Sequence, residues 1–368
     1  MRVVSIELTK VSADEYSRLQ SGEMTPAMAA EYLRGEHVVP RNFGEVIRSV
    51  YDAEDLQFRL TAAFSVDGES SASVSRKIYN WVSGKNTPTN REDVFRIAFA
   101  LDLTEAQTNY LLGFCTSYGI HYRDGRDTVY TWFLRTGGGY ADARDFFETL
   151  PPVPLLSEKS GESGERVTQF VRNSFLLAQN EDELRECYLA NLDNFAQFHM
   201  RAFTYFDRYM KQLIHPSSAM EDVDEADYSL EAVMDMYFTL NMPSSRSRSG
   251  YSVTQKLVKN NWPNATTLKD ICARRKDVPR KLLLLLYVIT ENVVDQNYHE
   301  MDEGYADNAE RLEDHWWTIN AILTDCGMPS LDLRNPSDWL MMYAVTADDE
   351  AMSEKLEQVI EYMYRDVE

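Results

Sequence analysis

The chain is poor in the residues that staple or ligate. It holds four cysteines in 368 residues, Cys115, Cys187, Cys272 and Cys326, and no C-x-x-C pair. That spacing excludes a disulfide framework and points to a reducing compartment with buried thiols. Its six histidines fall in no H-x-x-x-H or H-E-x-x-H pattern, so no metal, and no other cofactor, is expected. Long apolar runs are missing too. The longest, Leu282 to Ile289, is eight residues, whereas a membrane span needs about 20. It is expected to be a buried core helix, and no membrane association is expected. The opening MRVVSIELTKVSADEY has no apolar h-region or cleavage pattern, so the protein is expected to be cytoplasmic. No serine elbow or Cys/His pair stands out, and Gly137-Gly138-Gly139 lacks the Gly-Lys-Ser/Thr of a phosphate loop. No enzyme is expected on these grounds.

Positive charge is scarce overall. The formal charge is −22, with 37 Lys+Arg against 59 Asp+Glu. This excludes a protein that coats nucleic acid nonspecifically, but not a small DNA-reading face. Residues 1–150 hold 16 bases and 21 acids, and the remainder 21 and 38, so the acid is concentrated in the C-terminal part. Apolar content of 44% and charged content of 26% are those of a globular chain.

Periodicity predicts an all-α protein: an N-terminal helix-turn-helix bundle followed by a larger helical domain. The expected organisation is an N-terminal segment 1–40, a helix-turn-helix domain with additional helices 41–150, a linker 151–166 and an acidic helical domain 167–368. Val3 to Leu8 reads as a short strand. Thr25-Pro26 reads as a capped helix start, ending near Gly35. Phe43, Val46, Ile47 and Val50 share one helical face. Further helices are expected over 55–64, 72–83, 91–101 and 104–114, with Thr104 and Gln107 as a capping box. Residues 121–150 continue as helices. The Gly/Ser-rich stretch Ser157 to Glu165 marks the linker. Residues 181–214 read as one long helix with a Tyr/Phe core stripe. Helices are then expected over 251–260, 266–275, 279–297, 303–324 and 348–364, with Asn335-Pro336 turning into a helix at Trp339. No repeat of 20–50 residues is evident.

The stretch 72–83, ASVSRKIYNWVS, has two faces. Val74, Ile78, Trp81 and Val82 form an apolar side, and Ser73, Arg76, Lys77 and Asn80 a polar one. Between Ser71 and Arg91 there are four bases and no acid, which suits phosphate contact. The run Ile78 to Pro88, IYNWVSGKNTP, resembles the lambda-repressor-like helix-turn-helix family, in which Ile and Trp on the recognition helix precede Gly-Lys, two residues and Pro. REDVFRIAFALDLTEAQTNYLL resembles that family's fourth and fifth helices. The resemblance covers residues 44–115. It implies base contact by Ser75, Arg76 and Asn80, base or phosphate contact by Ser73, and backbone contact by Lys85. Lys77 and Arg91 complete the basic set. Ile78 and Trp81 match core positions. The family's phosphate-clamping glutamine has its nearest counterpart in Gln57, deeper in its helix, and the turn before the recognition helix is longer. The C-terminal segments around Trp262-Pro263-Asn264 and Asn335-Pro336 resemble bacterial proteins that join such a module to a helical domain.

A second basic strip runs from Met242 to Leu285, with ten bases and two acids. It comprises Arg246, Arg248, Lys256, Lys259, Lys269, Arg274, Arg275, Lys276, Arg280 and Lys281, with Tyr251 and Trp262 among them. It reads as a second nucleic-acid or partner patch, or as a face pairing with the acidic stretch 220–235. Asp295, His299, Glu300, Asp302 and Glu303, with Glu313-Asp314-His315, cluster without matching a catalytic spacing. The expected function is therefore a DNA-binding transcriptional regulator or adaptor. Double-stranded DNA is its expected partner, a homodimer its expected state because one module makes a small interface, and a protein or peptide partner is possible through the C-terminal domain. The alternative is a protein-interaction scaffold of a mobile element or defence system that uses the fold without binding DNA.

Overall fold

The computed structural model describes residues 10–65, 71–153, 164–195, 198–215, 228–244, 250–294, 307–348 and 350–365, without the side chains of 164–167 and 291–294. The described residues are helical with no strand, so the all-α class holds. The strand expected at Val3 to Leu8 lies outside them. The helices, in chain order, are α1 Lys10–Gln20, α2 Pro26–Arg34, α3 Phe43–Val50, α4 Leu56–Phe64, α5 Ser71–Val82, α6 Arg91–Ala100, α7 Glu105–Thr116, α8 Gly125–Thr136, α9 Tyr140–Glu148, α10 Gly164–Leu177, α11 Glu181–Ala190 and α12 Met200–Ile214. A short α13, Leu230–Val233, runs into a π-turn. Then come α14 Val253–Asn260, α15 Ala265–Cys272, α16 Arg280–Val294, α17 Asn308–Asp325, α18 Pro336–Ala344 and α19 Met352–Tyr364.

Side-chain caps set these boundaries. The Thr25 hydroxyl accepts from the Met28 amide at 3.3 Å ahead of Pro26, and Thr104 and Gln107 close the capping box of α7. Asn335 caps α18, again with proline in its first turn. The long helix expected over 181–214 is broken. Asn191 is buried, and its side-chain amide donates to the Cys187 carbonyl at 2.8 Å. A single 3-10 turn, Leu192–Asn194, follows. Phe195 is then extended and fully buried, so burial of its ring outweighs continuation of the helix.

The chain divides into two compact units. Unit A comprises Arg41–Arg201 and Leu323–Pro329; unit B comprises Met1–Pro40, Ala202–Ile322 and Ser330–Glu368. This division departs from the boundary expected at 151–166. In unit A, Val171 and Phe175 of α10, Leu184 and Tyr188 of α11, and Phe195 join the core formed by Phe43, Ile47, Leu60, Ile78, Phe95 and Tyr130. The Trp132 indole of α8 donates to the Ala178 carbonyl at 2.9 Å. In unit B, the described part of the N-terminal segment 1–40 supplies core. Glu15 of α1 accepts from the Trp339 indole at 2.8 Å and the Tyr32 hydroxyl at 2.7 Å. Residues 154–163, most of the expected linker, lie outside the described residues. The run Leu282 to Ile289 is core: Leu282 to Leu286, Val288 and Ile289 are buried. No helix among the described residues is long and apolar enough to cross a membrane.

Candidate nucleic-acid interface

Helix α5 forms because its apolar residues recur at helical spacing and find a floor to cover. Val74, Ile78, Trp81 and Val82 are buried. Trp81 meets Phe64 and Phe43 edge-on, with centroids 5.4 and 6.4 Å away. The chain leaves α5 through Gly84, at φ +74. That left-handed conformation suits glycine, and an added methyl would strike the Asn42 side chain that caps α3. Pro88 is buried beyond it. The frame read from Ile78, Trp81, Gly84 and Pro88 is therefore a packing frame.

On the other side of α5, Ser73, Arg76 and Tyr79 are exposed, and Ser75 and Asn80 half-buried; Lys85 is exposed just beyond the helix. The Lys85 ammonium lies 5.0 Å from the centroid of the Tyr79 ring. Tyr79 is half exposed and was not among the predicted site residues. Its signal was present in the helical spacing, three residues after Arg76 and four before Ser83.

Two predicted DNA contacts are half-buried and engaged within the protein. Lys77 sits 4.8 Å from the Trp81 ring centroid and 5.0 Å from that of Phe64, and its ammonium bonds Asp93 at 3.3 Å. Cation–π attraction and the ion pair hold it over the aromatic floor. Arg91 is committed more completely. It donates to the Thr116 hydroxyl at 2.9 Å and to the carbonyls of Tyr118 and Gly119 at 3.0 and 2.9 Å, and pairs with buried Asp127. The local charge of +4 in the sequence thus leaves Arg76 and Lys85 as outward cations on this face. At the start of α4, Asp52, Glu54 and Asp55 are exposed. That end repels phosphate, and Gln57 beside it, though exposed, has an acidic setting. Phe58 is 75% exposed on the same helix.

The Arg91–Asp127 pair lies beside a ring stack of His121 on His199 and His199 on Tyr118, with centroids 3.8 and 3.4 Å apart. Desolvation, followed by the neighbouring His199, Arg91 and Arg123, holds the His121 imidazole well below its ordinary range. Burial pushes the Asp127 carboxyl up to about 6 against the pull of Arg91. The signs are opposite. His121 stays neutral when folded but takes a proton near pH 6.5 when unfolded, so its contribution is present above that pH and lost as pH falls. Asp127 contributes at low pH and loses that contribution as pH rises through about 6. Between about pH 7.5 and 6, the parent is therefore expected to lose roughly 1 kcal/mol more stability than His121→Gln, which keeps the Asp127 response. Urea midpoints at both pH values check this, and parallel losses would refute it.

The second basic strip does not form one outward face. Arg246 and Arg248 lie outside the described residues. The Arg280 guanidinium is buried against Asp338, with bonds of 2.6 and 2.8 Å, and donates to the Ser330 carbonyl at 3.1 Å. The Arg274 guanidinium covers the Phe203 ring at 3.4 Å, and Lys259 lies 4.9 Å from the Tyr251 ring centroid. Burial pushes the Lys281 ammonium down. Lys269 pairs with Glu231 at 2.7 Å, and Arg275 and Lys276 share Asp270 at 2.9 and 3.3 Å. Lys256, Lys269, Arg275 and Lys276 remain exposed. A count of charges along a sequence cannot separate these four from cations that pack on rings or neutralise buried acids.

The acidic candidates Asp295, His299, Glu300, Asp302 and Glu303 lie outside the described residues. His315 is buried, with Nδ1 2.7 Å from the Tyr287 hydroxyl. Among the described residues no three His, Cys, Asp or Glu side chains group as a metal site. Comparison with protein-family models, curated proteins and solved structures finds no match.

Proposed function

We propose that the protein is a cytoplasmic DNA-binding regulator or adaptor whose α5 reads the major groove. The observation that carries this reading is the division of α5. Its apolar side is buried under Trp81 and Ile78, while Ser73, Arg76 and Tyr79 are exposed and Lys85 follows at the turn. Arginine at such a position bonds guanine O6 and N7, and asparagine bonds adenine, each worth about 1–3 kcal/mol of discrimination. Lys85 supplies phosphate contact without sequence preference.

Fluorescence anisotropy with a duplex drawn by selection from a random-sequence pool tests this. Arg76→Ala is expected to weaken binding by roughly 5- to 150-fold and to relax sequence preference. Lys85→Ala is expected to weaken all sequences alike and to lower the salt slope by about 0.9. Binding indifferent to both substitutions would reject the reading.

A second reading rests on one feature. Phe58 is 75% exposed on a helix whose start carries the exposed acids Asp52, Glu54 and Asp55, and an exposed ring close in sequence to acids fits a basic protein partner better than a phosphate backbone. Loss of a co-purifying protein on Phe58→Ser, together with no enriched duplex, would favour that scaffold role.

A further inference from the structure

Unit B repeats the hydrogen-bond framework of unit A. In unit A, buried Asp127 pairs with Arg91, the first residue of α6; in unit B, buried Asp338 pairs with Arg280, the first residue of α16. Asp127 also accepts the amide of His121, six residues earlier, at 2.9 Å, and Asp338 that of Asp332, again six residues earlier, at 2.9 Å. The Asn109 side chain of α7 holds the Ile120 amide at 2.8 Å, eleven residues on; Asn320 of α17 holds that of Leu331 at 2.8 Å, eleven residues on. Each arginine donates to the carbonyl just before that amide's residue, Gly119 at 2.9 Å and Ser330 at 3.1 Å.

The correspondence extends to the helix pairs α1–α2 and α10–α11. Nε of Arg123 donates to the Asn194 carbonyl at 2.8 Å, and Nε of Arg334 to the Val39 carbonyl at 3.1 Å. Trp132 donates to the Ala178 carbonyl at 2.9 Å, and Tyr343, in the matching place on α18, to the Met24 carbonyl at 2.8 Å. These are different side chains delivering the same bond from the same positions. The recurrence of these bonds at the same offsets pairs α6, α7 and α8 with α16, α17 and α18.

Carried upstream, the repeat aligns α15 with α5. Ile78 and Trp81 are buried, and so are Leu268 and Ile271. The Gly84 amide bonds the Trp81 carbonyl at 2.9 Å, and the Arg274 amide bonds that of Ile271 at 2.9 Å. Gly84 and Arg274 both have positive φ, +74 and +55. Lys85 and Arg275 come next, and both are exposed. The π-turn ahead of α14 and the αL arginine are unit B's own departures.

We infer that α15 and the turn behind it form a second duplex-contacting face, so that one chain engages a two-part DNA site without a second copy; this rests on the reading of α5 above. The exposed cations on α15 and the turn behind it are Lys269, Arg275 and Lys276, three bases in a chain of charge −22. Their partners Glu231 and Asp270 form surface pairs, which are weak and exchange readily for phosphate. Asp270 stands where α5 has Asn80. A carboxylate there accepts from the cytosine amino group, whereas the Asn80 amide pairs with adenine. The two halves of the site are therefore different in sequence, and the site is not a palindrome.

The test uses the full chain, a duplex selected from a random-sequence pool, and the double substitution Arg275→Ala/Lys276→Ala. Both residues are exposed, and circular dichroism checks that the variant stays helical. The expected result is one chain per duplex by native mass spectrometry and a two-part, non-palindromic footprint. The double variant should lose protection over one part only, with the salt slope reduced by about 1.8. Unchanged footprint and slope in the double variant, with Arg76→Ala still weakening binding, would overturn this inference and leave the α5 reading standing. A two-chain complex on a palindrome would overturn it as well. No selected duplex at all would remove both.

Discussion

Asp338→Ala is expected to destabilise unit B locally by about 3–5 kcal/mol, the range for breaking a buried ion pair by removing one partner. The size follows from what the carboxylate holds. The Asp338 side chain is 1% exposed and that of Arg280 8%, so neither charge is relieved by solvent. Asp338 accepts both Arg280 bonds and the Asp332 amide. Removing it takes away the carboxylate that faces a buried guanidinium and the acceptor it offers the Asp332 amide. Replacing both partners with apolar residues, as in Arg280→Met/Asp338→Leu, is expected to recover most of the loss. Hydrogen exchange over α16 and α18 reads the effect locally, with α8 as the internal reference. The equivalent Asp127→Ala is expected to lose less in unit A, because the Arg91 side chain is 32% exposed and water stabilises it once unpaired. Equal losses at the two sites, or a loss at Asp338 below about 1 kcal/mol, would contradict the account.

Trp81→Ala is expected to destabilise unit A by about 3–5 kcal/mol and to release α5 from its floor. Trp81 is 5% exposed, packs edge-on against Phe64 and Phe43, and forms part of the surface over which Lys77 is held. The loss combines transfer of the indole, the cavity left behind and a weakened seat for a cation. Amide protection in α5 and duplex affinity are expected to fall together. Arg76→Ala, in contrast, is expected to lower affinity with protection unchanged. A Trp81→Ala variant that binds duplex like the parent would show that the position of α5 does not matter for binding.

Much of the local structure was legible from residue types. Thr25 with Pro26, Thr104 with Gln107, and Asn335 with Pro336 announce helix starts through chemistry confined to a few residues, and each cap is in place. The apolar faces of α3 and α5 followed from spacing alone. What escaped was long-range. Arg91 looks like any surface base until the fold brings Asp127 and the Gly119 carbonyl to it. The break at Asn191 depends on a core that accepts Phe195. The correspondence of units A and B is carried by bonds rather than by letters. Trp132 and Tyr343 each bring a side-chain donor, and His121 and Asp332 correspond through their backbone amides, so the two stretches read differently while making the same bonds.

Whether the exposed face of α5 reads DNA is decided by selection of duplexes from a random-sequence pool with the purified full chain. A defined sequence is expected to be enriched, with a guanine whose preference disappears in Arg76→Ala and affinity that falls steeply with salt. No enrichment, or an enriched sequence bound equally well by Arg76→Ala, would contradict that role for α5.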